Sequence, residues 1–382
     1  MYRAFYCLFL IVLAGTSSVQ SQDKKPAIGT LDPEMAERKK AGDGLDWYDV
    51  TSWKNIEGRI LPDQKRVRWF DRVPAVAEKS FTNSVWYLSR HSAGMMVRFN
   101  TNATEIHIHY KLLLKNLSMS HMPATGVSGV DFYARDENNK WRWVQVTRPT
   151  TQEVKTKVVS GMKPGMREFA AYLPLYDGVE FMSIGVPPNT EFEKLEPRKR
   201  PIVFYGTSIT HGACASRPGI AHTAILGRKF DMPVVNLGFS GNGKMDLAVG
   251  EIMSQIDASV YVIDCLPNMS PSMVTNKCVP LIKQIRAAKP DTPIVLVEDR
   301  RNTNSWILPG RDAHHTANHA ALRKAYDALK SESVKNLFYI PGDTLYGNDT
   351  EGATDGSHAN DLGFMRQAEA FEPILKQALE LN

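Results

Sequence analysis

The sequence predicts two domains, an amino-terminal jelly-roll-like β-sandwich and an α/β domain built on a five-stranded parallel sheet. The length, 382 residues, exceeds the usual size of a single domain. In the first half, apolar residues alternate with period two, which is typical of half-buried strands. In the second half, short β-branched runs alternate with amphipathic helical segments, the pattern of a parallel sheet covered on both faces.

The composition is that of an ordinary globular protein. Hydrophobic residues make up 43% of the chain and charged residues 23%. Lys and Arg together number 46 against 41 Asp and Glu, a formal charge of +5 that is dispersed along the chain. Since this excess forms no basic stripe, we expect no nucleic-acid partner.

An apolar run over residues 4–14 follows Arg3 and precedes the small polar stretch Gly15-Thr16-Ser17-Ser18. This layout predicts a secretory signal peptide over residues 1–22, cleaved near residues 18–22. The run is too short to span a bilayer, so we expect a secreted or periplasmic protein without stable membrane insertion. Removing Cys7 with the signal leaves three cysteines, for which one disulfide or buried free thiols both remain open: Cys214, Cys265 and Cys278.

Residues 43–188 are predicted to form the β-sandwich, with no convincing amphipathic helix. The candidate strands are 95–99, 104–110, 130–134, 140–146, 167–173 and 179–186, separated by Gly, Pro and Asn. Residues 189–200 are dense in charge and follow a Pro-Pro pair, which predicts an interdomain linker.

Residues 201–382 are predicted to form the α/β domain. Its candidate strands are 202–205, 234–237, 260–264, 294–297 and 337–340. The candidate helices are 219–230, 246–256, 272–288 and 312–331, with a further helix at the end. In such sheets, functional side chains gather at the carboxyl ends of the strands.

Two segments at such positions carry candidate chemistry. The first α/β strand runs into Gly206-Thr207-Ser208-Ile209-Thr210, which places Ser208 between a strand end and a helix start. Near the carboxyl end, Asp355 and His358 lie three residues apart in a Gly-rich loop. There Asp355 can accept from Nδ1 of His358 and leave Nε2 free to take a serine proton.

These segments resemble the SGNH (GDSL-type) hydrolase family. Besides the two segments above, Asn236-Leu237-Gly238-Phe239-Ser240-Gly241 is similar to its second block and Asp264-Cys265-Leu266-Pro267-Asn268 to its third. The resemblance implies a three-layer α/β sandwich with Ser208 as nucleophile, His358 as general base and Asp355 as its partner. It further implies oxyanion donors at the Ser208 N–H, the Gly241 N–H and the Asn268 side-chain amide.

The sequence departs from the family pattern at several positions. Thr207 replaces the Asp of the first block, and Leu266 and Met269 replace a Gly and an Asp in the third. None of these changes removes a member of the triad. At the amino terminus, Gly44-Leu45-Asp46-Trp47-Tyr48 is similar to the G-x-D-L-Y motif of one branch, as are Leu173-Pro174-Leu175-Tyr176 and Cys214-Ala215-Ser216-Arg217-Pro218-Gly219.

Other candidates have ordinary structural explanations. His315 and His319 have metal-ligand spacing on a helix, but no third ligand accompanies them, so we expect satisfied histidines and no metal. Trp141 and Trp143 share a strand face and could stack on sugars, although core packing is favoured. Arg217 is a candidate for substrate contact.

The sequence therefore predicts a serine esterase, without metal or organic cofactor, that hydrolyses short-chain esters through an acyl-enzyme. Export and the accessory sandwich favour O-acetyl groups on a glycan as substrate. Two alternatives remain: a lipid or aryl esterase with the same mechanism, and a carbohydrate-binding protein with a vestigial hydrolase domain. Transfer of the acyl group to a sugar hydroxyl also remains open, as does the oligomeric state.

Overall fold

The computed structural model describes residues 39–40 and 44–380. The predicted signal peptide lies outside these residues. Within the described part of the chain, no helix has the length and apolarity needed to cross a membrane.

Residues 39–194 contribute ten strands to two antiparallel sheets. The strands are β1 (Lys39–Lys40), β2 (Asp46–Asp49), β3 (Met96–Thr101), β4 (Glu105–Leu112), β5 (Asp131–Arg135), β6 (Trp141–Val146), β7 (Glu153–Ser160), β8 (Arg167–Tyr172), β9 (Val179–Val186) and β10 (Phe192–Lys194). One sheet has the order β1-β2-β9-β4-β7 and the other β10-β3-β8-β5-β6. The predicted sandwich is confirmed.

Strand β4 shows why this half folds as a sandwich. Its residues alternate between buried and partly exposed, so that Ile106, Ile108 and Tyr110 enter the core between the sheets. His107 and His109 lie on the other face, beside Glu105 and Glu153. Period-two alternation thus delivers one apolar face per strand to a shared core.

Two details of this half differ from the sequence expectation. A helix forms at Asn83–Ser89, where the Thr82 side chain caps it by accepting from the Val85 N–H. The segment expected to be a linker contains β10, which pairs with the edge of β3. Phe192 stacks on Phe99 with 5.0 Å between ring centroids, which anchors this charged segment to the sandwich.

The α/β half has five parallel strands: β11 (Ile202–Gly206), β12 (Val234–Gly238), β13 (Val260–Asp264), β14 (Ile294–Val297) and β15 (Leu337–Ile340). The sheet order is β12-β11-β13-β14-β15. The helices here are α3 (Ser208–His211), α4 (His222–Lys229), α5 (Leu247–Met253), α6 (Pro271–Ala288), α7 (Pro309–Ser331) and α8 (Asp361–Leu379), after α1 (Asn83–Ser89) and α2 (Ala124–Val127) in the sandwich half. The prediction of a five-stranded parallel sheet with covering helices is confirmed.

The strand register brings the candidate residues to one edge. Gly206 at the end of β11 lies beside Gly238 of β12 on one side and Asp264 of β13 on the other. Every residue of these three strands is buried, because helices cover both faces of the sheet. The loops that leave these strands therefore start side by side, which places Ser208, Gly241 and Asn268 in one region.

Candidate active site

Ser208 is the first residue of α3, directly after the turn at the end of β11. Thr207 remains extended, and its side chain accepts from the Ile209 N–H. A Cβ at Gly206 would lie 2.1 Å from Thr210 Oγ1 and 2.7 Å from the Asp264 carbonyl oxygen, so the tight connection requires glycine. This turn holds the Ser208 side chain at the carboxyl edge of the sheet, where 7% of the residue remains exposed.

The three predicted triad residues form one hydrogen-bonded chain. Ser208 Oγ lies 2.8 Å from His358 Nε2, and His358 Nδ1 lies 2.7 Å from Asp355 Oδ2. The other carboxylate oxygen of Asp355 accepts from the N–H groups of Ser357 and His358 at 3.0 and 2.8 Å. Geometry of this kind lets an imidazole take a proton from the serine while its second nitrogen donates to the carboxylate.

The Asp355 carboxylate is kept charged. Burial alone would raise its pKa, but the hydrogen bonds from the His358 N–H, the His358 ring and the Ser357 N–H outweigh burial and lower it to about 2. An ionised Asp355 accepts only, so the facing His358 nitrogen, Nδ1, carries a proton. The basic lone pair of the imidazole is then the one on Nε2, which faces Ser208.

The two other candidate oxyanion residues meet across neighbouring loops. Gly241 has φ of 69° in the loop after β12, and Asn268 ends a 3₁₀ turn after β13. The amide orientation of Asn268 that suits its neighbours turns Oδ1 toward the N–H groups of Gly241, Asn242 and Gly243, at 3.3, 3.1 and 3.2 Å. This loop thereby holds the side-chain oxygen of Asn268, and the nitrogen Nδ2 is the other terminal atom of the same amide.

Tyr176, a side chain of the sandwich half, contacts the backbone of the segment that carries Ser208. The Tyr176 hydroxyl donates to the Ser208 carbonyl oxygen at 3.3 Å and also lies beside the Ser240 side chain. Its ring stacks on His211 of α3, with centroids 4.2 Å apart and planes at 13°. Tyr176 thus touches both the loop of the nucleophile and the loop that leads to Gly241.

Arg72, also from the sandwich half, is fully buried against β12. Its guanidinium donates to the Asn236 carbonyl at 2.5 Å and the Leu88 carbonyl at 2.6 Å, with the Gly238 carbonyl at 3.3 Å. Burial lowers the pKa of this group to about 9. A charge-assisted contact therefore fixes the strand end from which the Gly241 loop starts.

Asp264 and Arg300 form a fully buried ion pair beneath the site. Arg300 Nη2 donates to Asp264 Oδ2 at 2.8 Å, while its Nη1 contacts Oδ1 and its Nε donates to Gln367 at 2.7 Å. Asp264 Oδ2 also accepts from the Thr210 hydroxyl at 3.0 Å. The pair thus joins β13, the loop after β14, α8 and the helix that carries Ser208.

His121 of the sandwich half reaches the rim of the site. Its ring centroid lies 6.2 Å from that of His358, and the residue is exposed. It belongs to the loop between β4 and α2. The sequence pattern gave no indication of this position, because His121 is far from the triad along the chain.

Arg217, a candidate for substrate contact, lies where the two halves of the chain meet. Its guanidinium pairs with Asp131 of β5 at 2.9 Å, contacts the Tyr133 hydroxyl and lies over the Trp143 ring. These contacts tie the two halves together, and substrate contact by Arg217 stays a prediction. Trp143 is 48% exposed, so the expectation of core packing is wrong for this residue.

The expectation that His315 and His319 are satisfied histidines is confirmed. His315 Nδ1 lies 2.8 Å from Asp299 Oδ2, and His319 Nε2 lies 2.6 Å from Asp299 Oδ1. His319 Nδ1 also lies 3.3 Å from Glu298. Burial alone would raise the pKa of Asp299, but the two histidines lower it to about 2. Burial alone would lower the pKa of His319, but Asp299 and Glu298 raise it.

These two pKa changes, one downward and one upward, predict a pH range in which the contact between Asp299 and His319 stabilises the folded protein most. The contribution of Asp299 is lost as the pH falls from its usual pKa near 3.8 toward about 2, and that of His319 is lost as the pH rises past its raised pKa. The lowering at Asp299 corresponds to about 2 kcal/mol of unfolding free energy. We therefore expect Asp299→Asn to destabilise the protein most between about pH 4 and 6.5.

Urea unfolding of both proteins across the pH range measures this difference. Asp343→Asn is the matched control, because Asp343 lies 3.7 Å from the same histidine but is 62% exposed. A stability difference that does not change between pH 2 and 8 would contradict the assigned linkage.

A cavity of about 300 Å³ opens beside the triad. Three of its lining residues are chain neighbours of candidate site residues: Ile209 follows Ser208, Ser357 precedes His358 and Pro267 precedes Asn268. The rest of the lining is mostly polar or charged: Asp299, Arg300, Asn302, Gly310, Arg311, His314 and His315.

Among the described residues, no group of three or more His, Cys, Asp or Glu side chains is arranged to hold a metal ion. Cys214, Cys265 and Cys278 are buried free thiols.

Family models match both halves of the chain. Residues 199–376 match the GDSL-like lipase/acylhydrolase family, and residues 45–192 match the family described as the N-terminus of SGNH-hydrolase-type esterases. No curated protein matches the chain.

Solved structures match nearly the whole described chain. A protein described as a GDSL-like lipase from Bacteroides ovatus is 31% identical, with a TM-score of 0.82 over 88% of this chain and 98% of that one. A salicylyl-acyltransferase from a tetracycline biosynthetic pathway has a TM-score of 0.71 at 16% identity, over 88% and 98%. An acetyl xylan esterase from Butyrivibrio proteoclasticus has a TM-score of 0.53 at 11% identity, over 88% and 99%. The latter two share the fold.

Proposed function

Because the chain belongs to the GDSL-like lipase/acylhydrolase (SGNH) family, with that family's amino-terminal domain, we propose that it is an exported serine esterase that removes acetyl groups from carbohydrate. The observation that carries the proposal is the hydrogen-bonded chain from Ser208 through His358 to Asp355. The proposal that the protein is exported is based on the sequence of residues 1–22 alone.

In the proposed mechanism, Ser208 Oγ attacks the ester carbonyl carbon while His358 Nε2 takes its proton. Asp355 accepts from Nδ1, which fixes the tautomer and stabilises the imidazolium that forms. The C–O bond to the alcohol then breaks, and His358 returns its proton to the departing alkoxide. Water, deprotonated by the same histidine, hydrolyses the acyl-enzyme and frees Ser208.

The developing oxyanion would be held by the Ser208 N–H, the Gly241 N–H and Asn268 Nδ2. The contact between the Gly241 N–H and Asn268 Oδ1 is long at 3.3 Å, and a charged oxyanion is a stronger acceptor than an amide oxygen. Since Asn268 Oδ1 faces the Gly241 loop, Nδ2 is the branch that remains to donate. Donors that already point at the position of the oxyanion stabilise the transition state without any rearrangement of the protein during the reaction.

The polar lining of the cavity beside Ser208 supports a carbohydrate alcohol over a lipid. A long acyl chain or lipid alcohol gains its binding energy from apolar surface, whereas seven of the ten residues that line this cavity have charged or hydrogen-bonding side chains. A small cavity of about 300 Å³ also suits a short acyl group joined to a polar alcohol.

The proposal predicts a steep preference for short acyl groups. We expect the purified mature protein to hydrolyse 4-nitrophenyl acetate with a kcat/KM at least about tenfold above that for the octanoate. Acetate release from acetylated oligosaccharides, quantified in parallel, tests the carbohydrate part. A preference for octanoate would contradict the acetyl assignment and favour a lipid esterase. Glycan binding without any turnover would favour the binding-protein alternative.

A further inference from the structure

The cavity beside the triad has an uneven charge distribution. At its floor, the Asp299 carboxylate accepts from His315 and lies 2.6 Å from His319 Nε2, and Arg300 pairs with Asp264, so these charged groups have partners within the protein. At its rim, Arg311 is exposed and has no acidic partner among residues 44–380. Its chain neighbour Asp312 pairs instead with Arg301 at 2.8 Å. The cavity therefore presents one uncompensated guanidinium to whatever enters it.

Two other side chains that line the cavity with Arg311 can donate hydrogen bonds. The His314 ring nitrogen Nε2 lies 3.2 Å from Asn318 Nδ2 and accepts from it, which leaves the proton on Nδ1. Asn302, which also lines the cavity, contributes a side-chain amide. A rim of guanidinium, imidazole and amide donors matches an acceptor-rich anion better than a neutral hydroxyl.

The loop along this rim also carries Trp306, the most exposed large apolar side chain among residues 44–380. Trp306 is 76% exposed and Ile307 60% exposed. Asn302 precedes them in the same loop, Gly310 follows them in the first turn of α7, and both line the cavity. The Thr303 N–H donates to the Gly356 carbonyl at 2.8 Å, which couples the loop to the segment between Asp355 and His358. Indole faces commonly pack on sugar rings, since both offer apolar surface.

From these features, and resting on the proposed esterase function, we infer that the substrate is the ester of an acidic sugar. The acetylated sugar ring lies in the cavity beside Ser208, its carboxylate pairs with Arg311, and Trp306 packs on the ring or on the next sugar. The cavity is thus a subsite for the alcohol part of the ester, with a uronic acid as its preferred occupant.

The test compares two substrates that differ only in charge. Mono-O-acetylated methyl glucuronide and mono-O-acetylated methyl glucuronamide, acetylated by the same procedure, carry the same ester on the same ring hydroxyls and differ in a carboxylate against a neutral carboxamide, and acetate release gives kcat/KM for each. We expect the wild-type protein to prefer the glucuronide roughly five- to tenfold at low salt, with the preference shrinking as ionic strength rises. In Arg311→Gln the ratio should fall to about one.

Two further variants complete the test. Arg148→Gln removes an exposed arginine of the sandwich half and should retain the wild-type ratio. Trp306→Ala should raise KM for both sugars without changing their ratio. Equal rates on both sugars with wild-type protein, or a glucuronide preference that survives in Arg311→Gln, would overturn the inference. Failure of the wild-type protein to hydrolyse 4-nitrophenyl acetate in the same preparation would instead overturn the proposed function.

Discussion

Ser208→Ala is expected to reduce kcat for 4-nitrophenyl acetate by about 10⁴-fold or more, because the proposed acyl-enzyme forms on Ser208 Oγ. Ser208 Oγ is the atom that His358 Nε2 faces at 2.8 Å. The substitution leaves the Tyr176 contact unchanged, since that bond is made to the Ser208 carbonyl oxygen. We therefore expect the variant to fold with a thermal midpoint close to that of the wild-type protein.

Two measurements separate chemistry from folding. Initial rates with 4-nitrophenyl acetate give the loss of activity, and mass spectrometry after treatment with a fluorophosphonate should locate one adduct on Ser208 in the wild-type protein and none in the variant. Ser272→Ala is the matched control, because Ser272 is an exposed serine of the same half, at the start of α6. A variant that retains wild-type turnover would show that Ser208 is not the nucleophile.

Arg300→Met is expected to lower the free energy of unfolding by about 3–5 kcal/mol, the largest effect on stability that we predict. Removing the guanidinium leaves Asp264 as a buried charge without its ion-pair partner, since both side chains are fully buried. The Gln367 side chain also loses its donor. Urea unfolding at neutral pH should show a lower midpoint with an unchanged slope.

A double substitution tests the reason for that loss. Arg300→Met combined with Asp264→Asn removes the uncompensated charge and should recover part of the stability, which gives a favourable coupling energy in the cycle. Arg301→Met is the matched control, because Arg301 is partly exposed and pairs with Asp343 and Asp312 near the surface. A surface pair of this kind contributes at most about 1 kcal/mol. If Arg300→Met costs no more than Arg301→Met, the buried pair does not stabilise the fold.

Most of the strands, and the pairing of Asp355 with His358, could be predicted from the sequence because both depend on local patterns. The strands 260–264, 294–297 and 337–340 lie where apolar β-branched runs predicted them. The pairing of Asp355 with His358 is local, since only Gly356 and Ser357 separate them in a tight loop. The turn that exposes Ser208 needs a small residue at Gly206, and that signal is visible in the chain.

Only the tertiary structure decided what surrounds the triad. Arg72, His121 and Tyr176 lie far along the chain from Ser208 and carry no motif for its chemistry, yet packing of the sandwich brings them to the site. The ion pair of Arg217 with Asp131 of the sandwich half was likewise not predictable from the sequence. The carboxylate with which a long charged side chain pairs is the one that the folded chain places within reach. The distance between those two groups does not follow from their spacing along the sequence.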